Sequence, residues 1–585
     1  MGDIGGVRND DARVQVDDAG RAADRMMFEH RERLARRWYE VRDGVWCLVG
    51  NGLSNQTFVR GPQGIIAIDT GESVQEMQSA LAELRAVTSE PIVAVLYTHF
   101  HYINGTSAIV DTEPVTAIHG HSRIAMNLGR AAAEIGPTYG RGLVEQFGTR
   151  MAASGPEGLV GVGLGNAYRN PDHAPFTPGY LPVTHPFDGA CTLRVAGLDV
   201  QVTPAPSDAD DSVTYWFPSL GVAVHNILWP TLFNVFAIRG EEYRDPRVLL
   251  AGLDHLRSLG AEHLVATHGP PMSGASEIAR RATAYRDSIQ FMWDQTVRWS
   301  NRGATSTELA HRIRLPESYG DDWVTQQHYG LVEHHVRQIR SGLFGYFDGD
   351  PANLLPLEPA ERADRLVQAM GGVEAVRTQC RDSLARTAGA DAADLRWALE
   401  LGAHLVARSE ADDTDRSLLA EVLRVVARRT TSANVRNWCI ARASHLDGTV
   451  PMDRLYVHAI TQRQAATWSL AQGVSVLRVF VDPDRLDGVD LHVAFDINGE
   501  QCGLHFRNHI ACPTDGSGAS VVVSTDRVDW NAVLAGARSL ADTVFVGDAS
   551  IRSLRSGDDD GPELVAQVLD VLSCLDHRGF ARSAE

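Results

Sequence analysis

The stretch PIVAVLYTHFHYINGT, residues 91–106, decides the fold. Its apolar run from Ile92 to Leu96 is too short for a helix and reads as a strand buried on both faces. The strand ends in Thr98-His99-Phe100-His101, two histidines at i and i+2 on extended backbone, whose imidazoles point to one side. Upstream, VWCLVG, QTFVR and GIIAIDTG read as consecutive strands joined by turns, and residues 74–87 as a helix. Downstream, LDVQVTPAP, VTYWFP and VAVHNI repeat the strand pattern, DPRVLLAGLDHLRSLG is helical, and HLVATHG is a further strand. This is the grammar of a layered α/β fold. Asp69, His99, His101 and His268 each follow a different buried strand or share its end, so they converge on one rim of a sheet.

The chain has 585 residues, too many for one core. Outward from the α/β region we read four segments: an N-terminal arm at residues 1–27, the α/β domain at 28–276, a helical domain at 277–450, and an α+β domain at 451–585. In the last, LRVFVD, LHVAFDING, CGLHFRNHIAC and ASVVVST read as strands. All 54 cationic residues are arginine, which excludes Schiff-base and P-loop lysine chemistry. A net charge of −20 argues against nucleic acid held by bulk electrostatics. Seven scattered cysteines without C-x-x-C argue against a disulfide scaffold or a cysteine zinc site and suit a reducing compartment. No apolar stretch is long enough to span a bilayer and no signal peptide is visible, so a cytoplasmic location is expected.

Two histidines at the end of one strand can both reach a single metal ion. A second H-x-H, His119 and His121, reads as loop residues near the mouth of the site.

Further segments carry a family resemblance. DQTVRWSNRG, RLPESYG, HYGLVEHHVR, GYFDGDPANLLPL and DLRWALELGAHLV, with THFHYINGT, make the chain resemble the alkyl sulfatases built on the metallo-β-lactamase fold. The resemblance implies an αββα domain, then an all-α dimerisation domain and an α+β sterol-carrier-like domain whose interior can hold a lipid-like chain. It implies a hydrolase acting on a sulfate ester or related anionic, amphipathic small molecule, in a homodimer.

Carried over residue by residue, the resemblance places metal ligands at His99, His101, Asp208 and His268, with Asp210 and Asp211 as substitutes for Asp208. It places anion-binding and leaving-group residues at Asn234, His334 and Arg340. The family pattern T-H-x-H-x-D-H binds two zinc ions. Here Ile103 and Asn104 replace its aspartate and second histidine, and Asn226 replaces the carboxylate expected to bridge the metals, with His225 beside it as a rescue ligand. The expectation is therefore a reduced site with one divalent metal, zinc or else iron. Alternatives on the same scaffold are sulfate elimination or cyclisation, Fe(II)-dependent oxidation, and non-catalytic binding.

Overall fold

The computed structural model describes residues 5–132, 135–241, 243–387, 392–451, 460, 462–554 and 562–575. They form two compact units, residues 1–125 with 142–450, and residues 126–141 with 451–585.

The first unit contains two sheets packed face to face. One runs β3 (Arg37–Arg42), β4 (Val45–Val49), β5 (Gln56–Gly61), β6 (Gly64–Ile68), β7 (Ile92–Leu96), β8 (Ala117–His121) and β9 (His185–Phe187), in that spatial order. Its first four strands are antiparallel neighbours; β6 to β9 are parallel. The other runs β10 (Cys191–Val195), β11 (Leu198–Pro204), β12 (Val213–Phe217), β13 (Val222–His225), β14 (His263–Ala266) and β15 (Met272–Ser273). Cys47, Val59, Ile66 and Leu96 of one sheet share a core with Val200, Tyr215, Val224 and Val265 of the other. Each such side chain, fully buried, contributes about 1.5–3 kcal/mol, which is why β4 and β6 read as unbroken apolar runs.

Helices flank the sandwich. Val74–Val87 starts at Ser73, whose side chain accepts from the Glu76 amide, and buries Met77, Ala80 and Leu84. Pro246–Ser258 starts at the Asp245 cap and buries Leu249, Leu253 and Leu256. The expected αββα architecture is thus borne out. The helical region includes Ala275–Ser300, Val332–Phe344, Pro359–Ala369, Val373–Arg386, Ala392–Ala407, Asp413–Arg429 and Ala433–Leu446. Tyr285, Ile289, Met292, Val336 and Ile339 from it close over Ile227, Trp229, Leu249 and Leu253.

The described part of the expected N-terminal arm is not a free arm. Residues 14–24 form an antiparallel ribbon, β1 (Val14–Val16) and β2 (Ala22–Asp24), and Arg25–Arg33 is a helix. Asp11 is anchored to Arg429 at 2.6 Å and Arg428 at 3.1 Å. The polar composition that suggests an arm conceals ion-pair partners some 400 residues away in the chain.

In the second unit, β16 (Asp490–Ile497), β17 (Glu500–Arg507), β18 (Ile510–Thr514), β19 (Val521–Thr525) and β20 (Ala549–Ser553) form one sheet in the order β18-β17-β16-β19-β20. LRVFVD, expected as a strand, is a 3₁₀ turn at Leu477–Phe480. Leu477 and Phe480 are buried three residues apart while Val479 is exposed, which is the period of that turn rather than of a strand. Leu477, Phe495, Trp530, Leu534, Leu569 and Leu572 line a cavity of about 500 Å³ in this unit. Among the described residues no helix is long and apolar enough to cross a membrane.

Candidate metal centre and anion pocket

The polar residues of the first unit gather beyond the C-terminal ends of its strands. Asp69 follows β6, His99 and His101 follow β7, Asp208 follows β11, Asn226 follows β13 and His268 follows β14. Backbone bonds lock this rim: the Val213 amide donates to the Thr98 carbonyl at 3.0 Å, and the Asn55 amide to that of Thr267 at 2.7 Å. The Tyr215 hydroxyl adds a bond to the Tyr97 carbonyl at 2.7 Å.

His99, His101 and Asp208 each present one ligand atom, and the three atoms lie within 4.8 Å of one another. His101 Nδ1 is 3.1 Å, and His99 Nε2 3.9 Å, from Asp208 Oδ2. The tautomer of His99 follows from its support. The Thr98 hydroxyl donates to Asp69 Oδ2 at 2.7 Å, so toward His99 Nδ1, 2.8 Å away, it accepts. The proton sits on Nδ1, and Nε2 turns its lone pair to the cluster. Asp69 also accepts from the Thr98 amide at 2.8 Å and adopts a left-handed φ of 55°.

The electrostatics suit a cation. Burial pushes His99 down to about 3, leaving a neutral imidazole. Burial alone would raise Asp208, but His99 and His101 hold it well below the usual carboxylate range. Two imidazole nitrogens and a carboxylate oxygen are a donor set that fits a divalent metal.

His268 lies nearby but outside that trio. Its Nδ1–H donates to the Leu53 carbonyl at 2.9 Å, and its buried Nε2 has no partner among the described residues. Tyr102 packs edge-on against both His99 and His268, with ring centroids 5.2 Å apart in each case. Ile103 is fully buried and bridges to Gly71. Of the substitute ligands, Asp210 pairs with Arg123, the buried Asp211 carboxylate accepts no hydrogen bond among the described residues, and His225 Nδ1 accepts from the Ile227 and Leu228 amides. His119 and His121, expected in a loop, lie in β8; His119 faces His185 across β8 and β9, and neither joins a cluster of three donors among the described residues.

Beside the trio is a second set of polar atoms. Both amide atoms of Asn234 and Nε2 of His335 are buried without partners among the described residues. They meet at Gly330, where a Cβ would lie 2.8 Å from Asn234 Oδ1 and 2.4 Å from the His335 ring. Arg244 donates to the Asn234 carbonyl at 2.8 Å and pairs with Glu241, as does Arg239. Burial would raise Glu241, yet these two guanidinium groups hold it below the ordinary range. Arg244 also acts electrostatically on His99, Asp208 and His335, which ties the two sets together.

Of the expected anion-side residues, the structure brings Asn234 here. His334 is part-exposed beside Glu333 and Phe236. The buried stripe of its helix is Val332, His335, Val336, Ile339 and Arg340, which leaves His334 off the packed face. Arg340 donates to the carbonyls of Phe347 and Asp348 at 3.0 Å and so holds the turn after its helix. Helical period could have separated His335 from His334 in the sequence. Nothing local distinguishes Arg239 or Arg244 among 54 cations.

Comparison with known proteins adds the following. Residues 49–224 match the metallo-beta-lactamase superfamily, and residues 305–448 match the alkyl sulfatase dimerisation family. The linear primary-alkylsulfatase of Pseudomonas sp. (strain ATCC 19151) is 31% identical over 516 residues, covering 84% of this chain and 95% of that protein. The (R)-specific secondary-alkylsulfatase of Pseudomonas sp. is 27% identical over 504 residues, 82% of this chain and 72% of the relative. Among solved structures, the stereoselective inverting sec-alkylsulfatase Pisa1 from Pseudomonas sp. superposes with a TM-score of 0.81 at 22% identity, covering 98% of this chain and 92% of that one.

Proposed function

The chain belongs to the alkyl sulfatase family on the metallo-β-lactamase fold, and from that premise we propose that it hydrolyses the sulfate ester of an alkyl alcohol at a centre carrying one zinc ion. The metallo-β-lactamase match implies divalent metal binding, and His99, His101 and Asp208 are the residues that would hold the ion. Bound there, zinc supplies a Lewis acid and brings the pKa of water toward neutrality.

This chain's own residues account for the rest. Asn234, His335, Arg239 and Arg244 bind the sulfate group, the guanidinium forks matching its oxygens and the amide and imidazole fixing its orientation. Glu241 holds both arginines in place and trims the positive charge of the pocket. Trp229, Phe233 and Tyr102, all buried, exclude bulk water around the ester, which strengthens each of these polar contacts. The observation that carries the reading is the juxtaposition of a three-donor cluster with polar atoms at Asn234 and His335 that have no hydrogen-bond partner among the described residues.

The match to the dimerisation family supports a homodimer as the working form. The test is turnover of a primary alkyl sulfate in ¹⁸O-labelled water. Hydrolysis puts the label into sulfate or alcohol and stops in His99→Ala. Release of sulfate with no label in either product would mean elimination and refute hydrolysis.

A further inference from the structure

Asn226 stands where the sequence pattern leads one to expect a carboxylate, and its surroundings fix which way its amide faces. It is buried, and its Oδ1 accepts from the indole N–H of Trp229 at 3.3 Å. The same indole reaches the Asn226 carbonyl at 3.2 Å, so Trp229 grips both oxygens. Nδ2 is therefore turned toward the cluster. It donates to Asp208 Oδ1 at 2.6 Å and lies 3.2 Å from the Ser207 hydroxyl and 3.3 Å from His99 Nε2.

Two consequences follow. The bond to Oδ1 leaves Oδ2 as the oxygen facing His101 and His99, so the amide orients the carboxylate as a ligand. Besides, a carboxylate at 226 would set a second negative charge within hydrogen-bonding distance of Asp208, an arrangement that calls for a shared proton or a second cation. The amide removes that charge and presents its positive end instead. Close by, the His268 ring is flanked by Tyr102, with centroids 5.2 Å apart, and by Trp229, 5.7 Å apart.

We propose that Asn226, locked by Trp229, is the positioning residue that aims Asp208 at the metal and fixes the centre at one cation. The proposal rests on the reading of the trio as a metal site, and its test needs no substrate. Full-length protein is stripped with a chelator, reloaded with zinc, counted by elemental analysis and titrated against a chromophoric chelator. Wild type takes up one equivalent. Asn226→Ala still takes up one but binds it about 10–100-fold more weakly, and Trp229→Phe, which frees the amide to rotate, shifts affinity in the same direction. Circular dichroism confirms that each variant is folded, and Trp229→Phe carries the test should Asn226→Ala fail to fold.

A gain of function completes it. Ile103→Asp with Asn104→His still binds one zinc, and adding Asn226→Glu raises the count to two. Two equivalents in wild type, two in the double variant with Asn226 retained, or unchanged affinity in Trp229→Phe would each overturn the proposal. Absence of sulfatase turnover alongside the expected titrations would sink the hydrolase reading alone.

Discussion

Gly330 is the residue on which the proposed anion pocket turns. Any side chain there meets His335 and Asn234 at well under contact distance, with 2.4 Å to the imidazole. Gly330→Ala should therefore lower kcat/KM for an alkyl sulfate by about a hundredfold while zinc content stays unchanged, which steady-state kinetics and elemental analysis would read together. A second expectation concerns His30, remote from the metal cluster in sequence and stacked on His328 with centroids 4.1 Å apart. Its Nε2 bonds the Gly163 carbonyl at 2.7 Å, and burial lowers it to about 3. Because the folded value lies below the unfolded one, its stabilisation is complete above about pH 6.5 and is lost as pH falls from there toward 3, at about 1.4 kcal/mol per pH unit. His30→Gln keeps a donor for the carbonyl and removes the titration, so urea melts at about pH 7 and about pH 5 should differ less than in wild type. At this scale the sequence was legible where chemistry coincided with strand ends. His99 and His101 announce themselves by alternation after an apolar run. His335 did not, because two adjacent histidines can be told apart only by the packed stripe of their helix, and the arginines of the pocket carry no local mark.

Among the elements, the helix Pro246–Ser258 packs against the two loops of the second sheet that carry Asp208 and Asn226. Gly252 lets it approach: a Cβ there would stand 2.4 Å from the Ile227 side chain and 3.4 Å from that of Ala205. Ala205 begins the loop that carries Asp208, and Ile227 follows Asn226. Gly252→Val should thus cost about 1–3 kcal/mol by overpacking, visible as a lower Tm, and weaken zinc binding as well. The paired loss distinguishes a strut for the site from a merely tight core contact. The strands were readable because burial on both faces leaves nearly continuous apolar runs between Gly and Asp turns, as in GIIAIDTG. The ribbon of β1 and β2 was not, since its partners lie at the far end of the helical region. LRVFVD misled because V-F-V has the β-branched and aromatic composition of a strand while its buried residues sit three apart.

For the whole molecule, the homodimer is tested by mass. Light scattering at micromolar concentration should give twice the 63.7 kDa of one chain, and a monomeric mass would contradict it. The segment matched by the dimerisation family includes Phe344, Tyr346, Leu355 and Leu357, all exposed in the single chain. Exposed apolar side chains this close together in sequence suit an interface, so Leu355→Asp should shift the mass toward one chain. The proposed centre holds a single ion between His99, His101 and Asp208 on an alkyl sulfatase scaffold. Anomalous diffraction at the zinc edge from active, zinc-loaded crystals measures this most directly. One peak among those three side chains is the predicted result; two peaks, or none in crystals that still release sulfate, would contradict it.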